Sequence, residues 1–327
     1  MNNLKSIAEL QGFLNLALEK TSFQAEPVEL YEPISYILSL GGKRLRPALV
    51  LMAADMYGYD LSKAVPQAIG IELFHNFTLM HDDIMDEAPL RRGKTTVHEK
   101  WNANIGILSG DALFVKAYQS IVKTEPHNLP ALMELFNQTA LEVCEGQQYD
   151  MNFETQENVS MGSYLQMIKF KTAVLLACAL KTGALIADAP DNDQQHLYQF
   201  GIHIGLAFQL MDDILDVYGD QKDFGKQVAG DILCNKKTCL YIQAYAKAQS
   251  EQIKVLDYYF AHQDFNAEEK VTKVMEVYAE LDVQSICKHL MEEHYSLSMS
   301  HLEKVALPKD RKSTLVEFAE LLMVRVK

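Results

Sequence analysis

Two five-residue strings, Asp82-Asp83-Ile84-Met85-Asp86 and Asp212-Asp213-Ile214-Leu215-Asp216, set the same three carboxylates into stretches whose apolar residues recur at helical spacing. Asp at positions i, i+1 and i+4 puts the first and last carboxylates one above the other on a helix face. Acids so crowded among hydrophobic residues are costly unless something cationic meets them. One such string alone also reads as a helix end or a solvated face, since Asp favours caps and turns. Two copies, each with further polar neighbours, point to a hard divalent cation. Mg²⁺ prefers carboxylate oxygens and keeps waters or substrate phosphates as its other ligands. Two clusters facing each other would hold several Mg²⁺ ions around one diphosphate.

The rest of the chain reads as helix. From Pro66 to Ile84 the residues Ile69, Leu73, Phe77, Met80 and Ile84 recur at spacings of three and four, with His75, Asp82 and Asp86 close to a common row. Ile202 to Val217 repeats the pattern, with Gln209, Asp212 and Asp216 on a polar row. Breaks are expected at Glu26-Pro27, Gly41-Gly42, Glu125-Pro126, Ala189-Pro190 and Leu307-Pro308. Gly (16) and Pro (9) are under a tenth of the 327 residues, as a helical chain requires. No βαβ alternation, Gly-rich nucleotide loop or low-complexity linker interrupts the pattern. The expectation is one all-α domain over residues 1–327, a helical bundle around a central active-site cavity.

A net charge of −14 argues against nucleic-acid binding. Within that acidic chain, Lys43-Arg44-Leu45-Arg46 and Arg91-Arg92-Gly93-Lys94 are compact basic islands suited to small anions. The five cysteines, an odd count without metal-ligand spacing, read as buried reduced thiols of a cytoplasmic protein. The segment from Met1 to Lys20 lacks the pattern of a secretory signal. The longest apolar run, Ala173 to Ala187, is too short to span a bilayer, so no stable membrane insertion is expected.

Taken in order, the motifs resemble those of the trans-isoprenyl diphosphate synthases, the polyprenyl synthetase family. The matching strings are Gly41-Gly42-Lys43-Arg44-Leu45-Arg46-Pro47, the first acidic string with Arg91-Arg92-Gly93, Lys171-Thr172, and Phe208-Gln209 running into the second acidic string. Gly225-Lys226, Gly230-Asp231 and Lys236-Lys237-Thr238 complete the series, which covers about residues 40 to 240. Ala229-Gly230-Asp231 departs slightly from the family's pattern of Gly, any residue, Asp, which puts local loop geometry in doubt.

The resemblance implies an isoprenoid synthase fold and a head-to-tail condensation of isopentenyl diphosphate with allylic diphosphates (dimethylallyl, geranyl, farnesyl). It makes Asp82, Asp86 and Asp212 the main metal ligands, with Asp83, Asp213 and Asp216 in support and three Mg²⁺ ions as the expected complement. Arg91, Lys171, Lys226 and Lys236 would clamp the allylic diphosphate. Lys43, Arg46, His75 and Arg92 would hold isopentenyl diphosphate, with Phe208 against its alkene; Thr172 and Gln209 would sit beside the reacting carbon. His75 also reads as an ordinary polar residue on a half-buried helix. Released pyrophosphate would take the final proton, and the protein would be a homodimer. The basic end, Val324 to Lys327, reads as a solvated helix end or as a tail that closes over the diphosphate.

Product length depends on where the growing tail meets a wall. At about 100° per residue, Thr78 lies roughly 40° from Asp82, Phe74 about 80° and Phe77 about 140°. An aromatic five residues before the first Asp, a small residue four before it and an uninterrupted acidic string resemble one class of geranylgeranyl diphosphate synthases. Farnesyl diphosphate is the alternative product, and Phe74 and Phe77 could instead simply pack between helices. A terpene cyclase would not need the second, basic diphosphate site, and the difference between the two diphosphate clamps counts against a head-to-head synthase. A non-catalytic subunit would be expected to show a degraded acidic string.

Overall fold

The computed structural model describes residues 4–219, 229–261 and 266–323. Asp220, Asp223, Gly225, Lys226 and the basic end from Val324 to Lys327 lie outside the described residues. Apart from one two-stranded hairpin, every regular element among the described residues is helical. The contacts divide the chain into two compact units. The first comprises Met1–Asn137, Cys178–Leu197 and Ala306–Leu315; the second comprises Gln138–Ala177, Tyr198–Val305 and Val316–Lys327.

The first unit is built on two helices, α3 (Leu45–Met56) and α4 (Leu61–Met85). Helix α3 is apolar on every face and almost wholly buried, which makes it a core element. Helix α4 begins before Pro66, where Asp60 caps the backbone N–H of Ser62, and carries Pro66 inside it. It packs on α3, on α1 (Ile7–Lys20) and on α6 (Ala103–Ile121). Gly70 allows a close α4–α6 approach, since a Cβ there would lie 2.7 Å from Ile121. Helices α2 (Val28–Ser39) and α5 (Val97–Lys100) pack against α6. Between α4 and α5, β1 (Leu90–Arg91) pairs antiparallel with β2 (Lys94–Thr95). Its turn residues Arg92 and Gly93 both have positive φ, as tight hairpins with right-handed twist require. This hairpin was not expected from the sequence.

In the second unit, α7 (Leu129–Thr155), whose first residues belong to the first unit, is followed by α8 (Met161–Ile168). A π-helical turn (Lys169–Ala173) then leads into α9 (Val174–Ile186), whose residues from Cys178 onward belong to the first unit. The long helix α10 (Asp191–Tyr218), which belongs to this unit from Tyr198 onward, packs closely on the end of that stretch. A Cβ on Gly201 or Gly205 would lie 2.4 Å and 2.6 Å from the Cα atoms of Ala177 and Ala173. After it come α11 (Gly230–Leu233), α12 (Cys239–Lys247), α13 (Ser250–Ala261), α14 (Ala267–Glu280), α15 (Val283–Lys304) and α16 (Lys309–Met323), the last belonging to this unit only from Val316 onward. The helix breaks expected at Gly41-Gly42, Ala189-Pro190 and Leu307-Pro308 fall between elements, as expected.

One expectation is corrected. Cys239 and Cys287 are buried and disulfide-bonded, joining α12 to α15, and Cys144 and Cys234 are exposed, leaving Cys178 as a buried thiol. Helical periodicity shows which residues face inward but not which inward-facing residues from distant helices meet.

Three imidazoles also meet in this unit. His203 Nδ1 lies 3.1 Å from His294 Nδ1, and the His203 ring stacks 5.7 Å from that of His301. Burial first, then His294, His301 and Lys169, push the His203 pKa down to about 4. Because the unfolded chain binds a proton near pH 6.5 and the fold resists it until about pH 4, stability should fall as pH drops through that window. His203→Asn should flatten that acid limb in urea unfolding measured across the same range; an unchanged slope would refute the assignment.

Candidate active site

The first acidic string occupies the last turn of α4, with Asp86 as the C-cap residue and its N–H bonded to Asp82 O at 2.8 Å. The C-terminal end of a helix carries partial negative charge, so carboxylates there are unfavourable unless a cation compensates. The three acids are divided by environment. Asp83 is buried and accepts from Arg91 Nε at 2.8 Å on each oxygen, with Arg91 Nη2 at 2.6 Å. Asp82 is half-buried and Asp86 exposed. Asp83 therefore holds Arg91 and the hairpin in place, while Asp82 and Asp86 form an i, i+4 pair of carboxylates at the helix end.

A basic group lies in the same unit. His75 Nε2 is 3.2 Å from Arg46 Nη1. Burial, followed by Arg46, Arg92, Arg91 and Arg44, holds the His75 pKa well below its ordinary value, so the imidazole is neutral. Arginine can only donate, so Nε2 accepts and the ring proton lies on Nδ1. Lys43 is exposed, and Arg92 donates to Gly41 O through Nη1. Gly42, at φ 128°, accommodates that guanidinium, since a Cβ would lie 2.7 Å from it. Arg44, in the left-handed region at φ 49°, is sequestered by buried Glu72 and by Leu38 O at 2.6 Å. Asn76 Nδ2 also donates to Glu72 Oε1, at 2.7 Å.

The second acidic string lies near the C-terminus of α10. Asp213 is buried and accepts from Tyr164 Oη, from the Cys239 N–H at 3.2 Å and from Gln209 Nε2 at 3.4 Å. Burial first, then Asp231, push its pKa up to about 7 against the pull of those hydrogen bonds. Asp216, in the last turn, accepts from the Asp231 N–H at 2.9 Å through Oδ2. Ala229 takes the left-handed conformation at φ 61°, so the departure from the family's pattern leaves the turn into α11 intact. Asp212 is half-buried.

Lys171, Thr172, Gln209, Asp213, Asp231 and Lys236 line one cavity of about 200 Å³. Within it Lys171 Nζ pairs with Asp150 at 2.6 Å, and Thr172 Oγ1 donates to Gln209 Oε1 at 3.2 Å. Phe208, on the same helix, is half-buried. Lys237 also lines this cavity, and its ammonium caps the end of α7, through the carbonyls of Phe153 at 2.8 Å and Gln156 at 2.6 Å. Lys226 lies outside the described residues. Asp150, Tyr164 and Glu72 were missed by sequence reasoning; Glu72 carried a signal, an acid one turn before His75 inside an apolar helix.

Among the described residues no three His, Cys, Asp or Glu side chains are arranged to hold an ion by themselves. Acids such as Asp82 and Asp86, at a helix end that disfavours them, nevertheless form a donor set that suits Mg²⁺, which takes one or two carboxylates and completes its shell with phosphate and water.

Gly146 sets the position of Lys171, since a Cβ there would lie 2.2 Å from the Lys171 backbone N. Alanine would add about 1 kcal/mol of helix propensity, but a backbone clash this close cannot be relieved by a side-chain shift. Gly146→Ala should lower the thermal midpoint and weaken binding of Mg²⁺-pyrophosphate about tenfold or more in calorimetry; wild-type binding would contradict this.

The polyprenyl synthetase family profile matches residues 27–278. The geranylgeranyl diphosphate synthase of Methanosarcina mazei is 40% identical over 249 residues, covering 76% of this chain and 77% of its own. A crystal structure of a geranylgeranyl pyrophosphate synthase is 43% identical, with a TM-score of 0.94 over 98% of this chain and 99% of that one. A polyprenyl synthase from Caulobacter crescentus, solved with calcium and isoprenyl diphosphate, is 26% identical with a TM-score of 0.84, covering 98% of each chain. With its all-α isoprenoid synthase fold and its motifs in order, the chain belongs to the polyprenyl synthetase family.

Proposed function

We propose that this prenyltransferase condenses isopentenyl diphosphate with dimethylallyl, geranyl and farnesyl diphosphates and stops at geranylgeranyl diphosphate. The observation that carries the reading is the presence of two unlike sets of diphosphate-binding groups. One is the carboxylates at the C-terminal ends of α4 and α10, which call for a divalent cation. The other is Lys43, Arg46 and Arg92 with neutral His75, which bind an anion without metal. A cyclase has no use for the second set.

In this reading Asp82, Asp86 and Asp212 are the main ligands of three Mg²⁺ ions, and Asp216 supports them. Asp83 and Asp213 act by fixing Arg91 and Gln209. Bound Mg²⁺ supplies the positive charge that stabilises the leaving diphosphate as the allylic carbon–oxygen bond breaks. Lys171, Arg91, Lys226 and Lys236 add cationic donors to the same leaving group. His75 donates from Nδ1 to a phosphate oxygen of isopentenyl diphosphate. Thr172 and Gln209 turn their dipoles toward the allylic cation, and Phe208 packs its face on the alkene. The released pyrophosphate accepts the proton lost as the new double bond forms.

Chain length is set from α4. Phe77 is half-buried and stacks on Phe114 of α6 at 4.9 Å, while Phe74 is fully buried against Phe77, Phe114 and Phe136. Thr78, the smaller residue one turn before the acids, donates to His75 O at 2.8 Å. Phe77 is thus the floor, and Phe74 is packing behind it.

We assign the whole chain to one catalytic domain acting as a homodimer. The exposed Ile107, Leu108, Val115 and Val122 form an apolar stripe on and just beyond α6 suited to a second copy. Sedimentation velocity reads that state, and a monomer at assay concentration would refute it. No described helix is long and apolar enough to cross a membrane. The cytoplasm, where these diphosphates meet Mg²⁺, is the proposed location, although the Cys239–Cys287 bond removes the support that reduced thiols would have given.

Purified protein with Mg²⁺, isopentenyl diphosphate and each allylic starter should yield a C20 diphosphate by mass. Hydrocarbon or alcohol from a starter alone would show a cyclase, and no turnover would favour a non-catalytic subunit. Asp82→Ala should lower turnover at least about a hundredfold with helical circular dichroism intact. Phe77→Ala should lengthen the product, and an unchanged distribution would remove Phe77 from the floor.

A further inference from the structure

The segment from Ala229 to Thr238 carries Asp231 and Lys236 into the cavity, and it is tied down on two sides by interactions already described. Asp216 accepts from the Asp231 N–H, and Lys237 caps α7. A third tie comes from outside the family motifs. Lys270, in the first turn of α14, is only 4% exposed. Its ammonium donates to Asn235 Oδ1 and reaches Leu233 O at 3.5 Å, with the Phe260 ring 5.4 Å away.

This is an expensive place for a lysine. A cation in the first turn of a helix opposes the macrodipole, and a buried ammonium loses its hydration. Burial indeed holds the Lys270 pKa below its ordinary value. Helix α14 already has its N-cap in Asn266, whose side chain accepts from the N–H groups of Glu268 and Glu269 at 3.0 Å and 3.1 Å. Lys270 is thus not needed to start its own helix. What it contacts is the turn that ends α11: Leu233 is the last residue of that helix, and Asn235 sits in the left-handed region at φ 57°. The next residue is Lys236, whose N–H closes the turn on Asp231 O at 2.9 Å.

We propose that Lys270 is a positioning residue for the diphosphate clamp: by holding Leu233 O and the Asn235 side chain, it fixes the turn that presents Lys236 and Asp231 to the cavity. The proposal rests on the assignment of Lys236 to the allylic diphosphate. A helix outside the motif-bearing stretch thereby controls affinity for one substrate, and isopentenyl diphosphate binding is independent of it.

Lys270→Met removes the donor and keeps most of the side chain's volume, and Lys270→Arg restores a buried cationic donor. Amide exchange over residues 229–238 should accelerate in Lys270→Met and recover in Lys270→Arg; this readout does not require turnover. KM for the allylic diphosphate should rise about tenfold, with KM for isopentenyl diphosphate unchanged and partial recovery in Lys270→Arg. Lys236→Ala and the double variant Lys236→Ala/Lys270→Met should share one allylic KM. Additive losses, an equal rise in both KM values, or wild-type exchange in Lys270→Met would each overturn the proposal. If Lys270→Met does not fold, Lys270→Gln, which shortens the reach to Asn235 Oδ1, should give the same exchange and KM pattern, and wild-type behaviour there would overturn it. Wild-type protein that turns over no substrate refutes the synthase reading instead, while the exchange result still decides whether Lys270 holds the turn.

Discussion

Carboxylates at the wrong end of helices govern this structure. Asp82 and Asp86 close α4, and Asp216 lies in the last turn of α10, where the backbone carbonyls already concentrate negative charge. Helix ends of this kind are relieved by cations. Arg91 is committed to Asp83, Lys171 to Asp150 and Arg44 to Glu72. Each commitment satisfies a buried or half-buried acid, since breaking one such pair leaves an uncompensated charge. The divalent cation of the proposed reaction completes this pairing of charge at Asp82 and Asp86.

The same logic separates acids that bind from acids that build. In each string the second Asp is the buried one: Asp83 is locked to a guanidinium, and Asp213 to a phenol, an amide N–H and a glutamine. A carboxylate already accepting from several donors has few lone pairs left for a metal. Asp83 holds Arg91, and Asp213 accepts from Gln209. Repetition of the motif therefore reflects repetition of a division of labour at two helix ends.

Close backbone approach is the second constraint. Gly146 against Lys171, and Gly201 and Gly205 against Ala177 and Ala173, bring helices nearer than any side chain would permit. The π turn at Lys169–Ala173 follows the same stretch and places Lys171 and Thr172 where regular helix would not. The Thr172–Gln209 hydrogen bond depends on this packing.

The sequence by itself determined the all-α class, the principal helix breaks, both acidic strings and the basic islands, because period, caps and charge are local properties. It also separated Phe77 from Thr78 by helical angle. Tertiary structure alone decided that Asp83 faces Arg91, that Lys236 and Lys237 both line the cavity with Lys237 capping α7, and that Lys270 reaches Asn235. It also joined Cys239 to Cys287, against expectation. These outcomes depend on which residues meet across helices far apart in the chain. That is set by packing of whole surfaces, and no window of neighbouring residues contains it.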